Sequence, residues 1–128
     1  MPSEQPAVEG GKFPKSARLL ESREFTAVLR RGRRKGNALF LLQVWLRPGL
    51  ESRLGLTVSR KVGKAVVRNR IKRVAREYFR HCRSLLQQGC ECVLVARPMA
   101  GEVDNAALTS ALAELFTPWL VRDRGNRT

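Results

Sequence analysis

Between Arg60 and Arg83 the chain carries ten cationic side chains (Arg60, Lys61, Lys64, Arg68, Arg70, Lys72, Arg73, Arg76, Arg80 and Arg83) against one acid, Glu77. Guanidinium and ammonium groups at that density do one kind of chemistry well, which is to neutralise phosphates. Asn69, set between two arginines, adds an uncharged group that both donates and accepts hydrogen bonds. The simplest account of such a run is a solvated helix face. Like charges three and four residues apart repel by about 0.2–0.5 kcal/mol per pair, however, so ten together point to a polyanionic partner that relieves them.

A second group of reactive types, His81, Cys82, Cys90 and Cys92, contains only potential zinc ligands. Their setting favours packing. Cys90 and Cys92 alternate onto one face of a strand, Cys82 falls on the apolar stripe of the preceding helix, and His81 projects about 100° away around that helix. No metal ligand set is assigned. Among the eleven acids no carboxylate cluster or nucleophile–base pair stands out, so no catalytic residue is assigned either.

The basic residues need an ordered support, and hydrophobic periodicity supplies one. Val67, Ile71, Val74, Tyr78, Cys82 and Leu85 predict a helix over 64–88 with one core-facing stripe and with Lys72, Arg73, Arg76, Arg80 and Arg83 on the other side. Gly89 stops it, and 90–96 reads as a strand, which makes a β-α-β unit with the strand before the helix. That earlier strand, 53–59, alternates Leu54, Leu56 and Val58 with small residues. With the largely buried strand 38–46 it is expected to form an antiparallel hairpin across the turn at 47–52.

Ser22 is expected to cap a helix over 23–31 with Phe25, Val28 and Leu29 on one side, stopped by Gly32. Asp104 is expected to cap a last helix whose ridge is Ala107, Leu108, Ala111, Leu112, Leu115 and Phe116. The sum is a small α+β sandwich of helices on a mixed sheet.

At 128 residues and a net charge of +14 the chain has room for one domain, assigned to 13–121 between flexible tails at 1–12 and 122–128. Nucleic acid is the expected partner, ahead of an anionic membrane surface. No segment approaches the roughly 20 apolar residues of a membrane span. The start has no export signal and the three cysteines are odd in number, which predicts a cytoplasmic protein.

The run Arg68-Asn69-Arg70-Ile71-Lys72-Arg73 resembles the protein component of bacterial ribonuclease P. Gly55 to Ala65 is similar to the segment that precedes the family's Arg-Asn-Arg helix. Ser22-Arg23-Glu24-Phe25 with Val28 and Gly32 resembles its first helix, and Val93 to Arg97 its late strand, in collinear agreement from Phe13 to Leu115. The resemblance implies a two-layer sandwich with a mixed four-stranded sheet in the order α-β-β-β-α-β-α, with a further short strand near 33–35. It also implies a left-handed β-α-β crossover, against the usual right-handed rule.

In function it implies the protein subunit of an endoribonuclease ribonucleoprotein, a hydrolase of tRNA processing. The protein, monomeric and one per RNA, binds the catalytic ribonuclease P RNA and the 5′ leader of precursor tRNA. Its partner RNA holds the catalytic centre and most of the Mg²⁺. Carried over by position, Arg60, Lys61, Lys64, Arg68, Asn69, Arg70, Lys72, Arg73 and Arg76 are the expected RNA-binding residues. Phe13, Phe25 and Phe40 are the expected stacking platforms of a leader cleft. Gln43 and Leu29 stand where some relatives have aromatic residues, which implies weaker stacking. The rival expectation is a ribosomal or other structural RNA-binding protein of similar fold.

Overall fold

The computed structural model describes residues 22–86 and 89–120. The expected tails at 1–12 and 122–128, and Phe13, lie outside the described residues.

Four strands, β1 (Arg33–Gly36), β2 (Phe40–Leu46), β3 (Arg53–Thr57) and β4 (Cys90–Ala96), form one mixed sheet in the order β1-β2-β4-β3. β1 with β2 and β2 with β4 run antiparallel, while β3 and β4 run parallel. The expected hairpin of β2 with β3 is therefore overturned, because β4 lies between them. The centre goes to the strand that can be buried on both faces, and every residue of β4 but Val95 is buried. β3, with exposed Thr57 and half-exposed Arg53, takes the edge.

Helix α1 (Ser22–Arg31), helix α2 (Ala65–Cys82) and helix α3 (Asn105–Phe116) complete the described elements with short 3₁₀ turns. α2 and α3 cover one face of the sheet. Its inward residues, Phe40, Leu42, Val44, Leu54, Cys90, Cys92 and Leu94, pack with Ile71, Phe79, Leu108, Leu112 and Phe116. The α2 stripe differs from the expected one. Ala75 and Phe79 are buried beside Ile71 and Cys82, Val67, Val74 and Tyr78 flank them, and Leu85 is exposed. The helix ends at Cys82, followed by a 3₁₀ turn at Arg83–Leu85 that turns Leu85 outward.

α1 crosses the opposite face. Val28 packs on Val93 with Phe25, Trp45 and Val95 around it, and Gln43 Nε2 donates to the Leu29 carbonyl at 3.2 Å. Leu29, expected on the apolar side, is 47% exposed. Asp104 caps α3 as expected, its carboxylate accepting from the Ala107 N–H at 2.9 Å.

Candidate nucleic-acid interface

The loop before α2 is held from both sides. Ser59 Oγ accepts from the Lys61 N–H at 3.3 Å, and Val62 is buried against the 3₁₀ turn Pro98–Glu102. Gly101 passes so close that a Cβ there would sit 2.2 Å from the Val62 carbonyl oxygen. Gly63, at φ +152°, is in a region that side chains rarely adopt, and Arg68 Nε donates to its carbonyl at 3.0 Å. Arg60 and Lys61 thus stand exposed on a fixed turn that leads straight into the helix.

Along α2 each residue turns 100°. Asn69, Arg73, Arg76 and Arg80 fall on the side away from Ile71, with Lys72 on one flank and Arg70 on the other. Arg70 is partly spent on the fold, since Nη1 donates to Asn105 Oδ1 at 2.7 Å and Nη2 to the Val103 carbonyl at 3.0 Å. Arg80 pairs with Glu77, which also lies 3.5 Å from His81 Nε2. Arg83 donates to the Ser52 carbonyl and to Glu51. Among the described residues Arg60, Lys61, Lys64, Lys72 and Arg73 make no ion pair. The uncompensated charge therefore gathers on the loop and the N-terminal half of α2, whose first turn carries no acid and no side-chain cap.

The other face of the sheet is read in rows of register partners. Trp45, Glu91 and Arg53 form the lowest row. Buried Glu91 takes Arg53 at 2.6 Å and Arg47 at 3.7 Å, while Arg53 also reaches Glu24 at 2.8 Å. Burial opposes the Arg53 charge, but hydrogen bonds to Glu91 and Glu24 outweigh it and hold the guanidinium above its ordinary range.

α1 covers the middle row, Gln43, Val93 and Gly55. Gly36, Leu41, Val95 and Thr57, the top row, remain half or fully exposed. Glu24 and Arg31 of α1 reach the lowest row, so Phe25 and Leu29, on the helix's opposite flank, overlook the top one. Arg97 extends across this row, its Nη2 2.6 Å from where a Cβ on Gly36 would be.

Of the expected platforms, half-buried Phe25 borders this cleft. Phe40 does not. It is 1% exposed and faces α2 and α3, because its even position in β2 puts it on the opposite face from Leu41. Leu41, Thr57 and Val95 lie on this exposed row, with Arg97 across it, and were not singled out from sequence. Strand parity was the signal that could have found the first three.

The three cysteines are free and buried in the α2-side core, and burial pushes the Cys82 and Cys90 thiols up to about 11 and Cys92 well above the ordinary range. His81 lies apart from that core, exposed on α2.

With this geometry in place, comparison with known proteins is specific. The family described as Ribonuclease P matches residues 13–119. The ribonuclease P protein component of Desulfovibrio desulfuricans is 46% identical over 108 residues, 81% of this chain and 83% of that one. That of Dictyoglomus thermophilum is 41% identical over 67% of this chain and 72% of its own. The RNase P protein of Staphylococcus aureus superposes with a TM-score of 0.73 at 28% identity, over 81% of this chain and 94% of that one. For the Thermotoga maritima RNase P protein the TM-score is 0.70 at 32% identity, over 79% and 96%.

Proposed function

The chain belongs to the ribonuclease P protein family, whose role is RNA binding in tRNA 5′ processing, and from that premise we propose how its two surfaces divide the work. The uncompensated cations Arg60, Lys61, Lys64, Lys72 and Arg73, with Arg68, Asn69, Arg70 and Arg76 beside them, grip the phosphates of the catalytic RNA. The top row beneath α1 receives the single-stranded 5′ leader of precursor tRNA. The observation that carries this reading is their continuity, since the row ends at Thr57, three residues before Arg60.

A leader lying on Leu41, Val95 and Thr57 passes Phe25 and Arg97, then meets the cations that hold the RNA. Base stacking on an aromatic ring is worth roughly 1–3 kcal/mol. With Phe25 as the ring at the described cleft, hold on the leader rests more on phosphate contacts by Arg97 and Arg60. Leader length then matters more than leader sequence.

Bond breaking belongs to the RNA. In this reading the Mg²⁺ of the endonucleolytic hydrolysis is held mainly by the RNA; among the described residues no three His, Cys, Asp or Glu side chains gather to hold a metal. The protein, one copy per RNA and cytoplasmic, lends charge and position. Among the described residues no helix is long and apolar enough to cross a membrane.

Reconstitution tests the division. Purified protein with Mg²⁺ is expected to leave precursor tRNA intact, and adding transcribed ribonuclease P RNA to start 5′ maturation at lower Mg²⁺ than that RNA needs alone. The gain should grow as the leader lengthens and should shrink in Val95→Asp. Cleavage by the protein without RNA would overturn the reading, as would a gain indifferent to leader length.

A further inference from the structure

Where α1 gives way to β1, five cations occupy six positions: Arg30, Arg31, Arg33, Arg34 and Lys35, interrupted by Gly32. All five are exposed, and among the described residues none has an ion pair. This is not a loose tail. At one end the Gly32 N–H donates to the Val28 carbonyl at 2.7 Å, and a Cβ there would stand 2.9 Å from the Val44 carbonyl oxygen. At the other, Asn37 Oδ1 accepts from the Leu39 and Phe40 N–H groups, while its amide donates to Ala111 O and Glu114 Oε1 at 3.1 and 2.9 Å.

β1 is the edge strand opposite β3 and pairs only with β2 among the described strands. Arg33 and Lys35 register with Val44 and Leu42 and so share the helix-side face, whereas Arg34 registers with Gln43 on the α1 side. The edge therefore carries cations to both sides. Arg47 joins them from the end of β2, with the Trp45 ring centre 4.5 Å from its guanidinium carbon and 5.3 Å from that of Arg31. The indole holds two like charges near each other that would otherwise repel.

A charged edge strand commonly serves to block strand pairing between copies. One or two lysines do that, and Arg30, Arg31 and Arg47 lie off the strand. What this array fits is a row of phosphates, for which arginine's forked donors are suited. Trp45 is occupied by its guanidinium neighbours, so the surface presents charge without a free stacking ring, which suits the backbone of base-paired RNA better than unpaired bases.

We propose that the α1–β1 edge, centred on Arg31, Arg33, Arg34, Lys35 and Arg47, is a second RNA-contact surface that holds a base-paired segment of the partner RNA separate from the segment on α2. The proposal rests on the reading above that the partner is the ribonuclease P RNA, and its test separates the two.

An iron chelate is tethered to Lys35→Cys or Arg73→Cys in the full chain, the native thiols being buried and slow to react. Each protein is assembled with transcribed ribonuclease P RNA and hydroxyl-radical cuts are mapped. Cuts from the two tethers in different RNA segments, those from position 35 in a base-paired one, support the proposal. If only the position 35 tether cuts, the edge stands and the α2 reading falls. Cuts in the same segment, or none from position 35, overturn it.

The triple variant Arg33→Gln, Arg34→Gln, Lys35→Gln provides a second readout. Its salt slope of RNA affinity is expected to fall by about 2, at about 0.7–0.9 per lost phosphate contact. An unchanged slope together with self-association on size exclusion would identify the edge as a guard against pairing and overturn the proposal.

Discussion

At the scale of single residues, two arginines a few positions apart do different work. Arg70 spends donors on Asn105 and the Val103 carbonyl and so pins α2 to the approach of α3, while Arg73 makes no ion pair among the described residues. Arg70→Ala is expected to lower stability by about 1–2 kcal/mol, the range for losing hydrogen bonds made by a charged group that is only partly exposed. Arg73→Ala should leave unfolding within about 0.5 kcal/mol of the parent, as surface changes do. It should also reduce the slope of log affinity against log salt for RNA by about one unit. Urea unfolding and RNA titration over a salt series measure both. Equal destabilisation by the two variants would make the α2 face a structural feature and not a binding one.

Among the elements, the position that governs α1 is a glycine on the sheet. A Cβ built on Gly55 would meet Phe25 Cζ at 2.5 Å, so the tip of the ring lies against bare backbone. Gly55→Ala must push Phe25, and α1 with it, off the middle row, at an expected cost of about 1–3 kcal/mol for overpacking. Combined with Phe25→Leu it should cost clearly less than the sum of the single changes, because both act on one contact. A double variant whose losses simply add would mean that α1 docks by other means. Sequence made the helices legible, since a 3.6-residue period and the Asp104 cap act locally. Strand order was another matter. Two neighbouring strands with a Pro-Gly turn between them look like a hairpin, and only the almost unbroken apolar run of Cys90–Ala96 says that this strand belongs in the middle. Glu91 hid that signal, because its charge looks like a solvent position until Arg53 and Arg47 are seen to close over it. The same parity decided the cleft. Phe40 attracts the eye as a stacking ring, but its neighbour Leu41 is the residue on the α1 side. The basic helix was legible as a whole, but which of its cations are committed to the fold was not, because that depends on Asn105, Ser52 and Glu51, distant in sequence.

Over the whole molecule, the described ion pairs gather the acids in a few places: Glu24 and Glu91 around Arg53 and Arg47, Glu51 on Arg83, and Glu77 on Arg80 and His81. Among the described residues Arg60, Lys61, Lys64, Lys72 and Arg73 on one side and Arg30, Arg31, Arg33, Arg34 and Lys35 on the other are left without an ion pair, so a net charge of +14 bears on a small fold as self-repulsion. Salt screens it, the Debye length falling from about 10 Å at 0.1 M to about 3 Å at 1 M. The free protein should therefore gain stability as NaCl rises from roughly 0.02 to 0.5 M. Relief of about 1 kcal/mol would raise the Tm by about 4 °C for a domain of this size. A base-paired RNA added at low salt should raise the Tm further, since it binds the folded state alone. That extra gain must fade as salt weakens phosphate binding. The curves with and without RNA are thus expected to converge towards high salt, the first falling while the second climbs, and tryptophan fluorescence of Trp45 and Trp119 can follow both transitions. A free-protein Tm that stays flat over this range would mean that the fold already neutralises its own charge, and the case for both basic surfaces as RNA-binding faces would fail together.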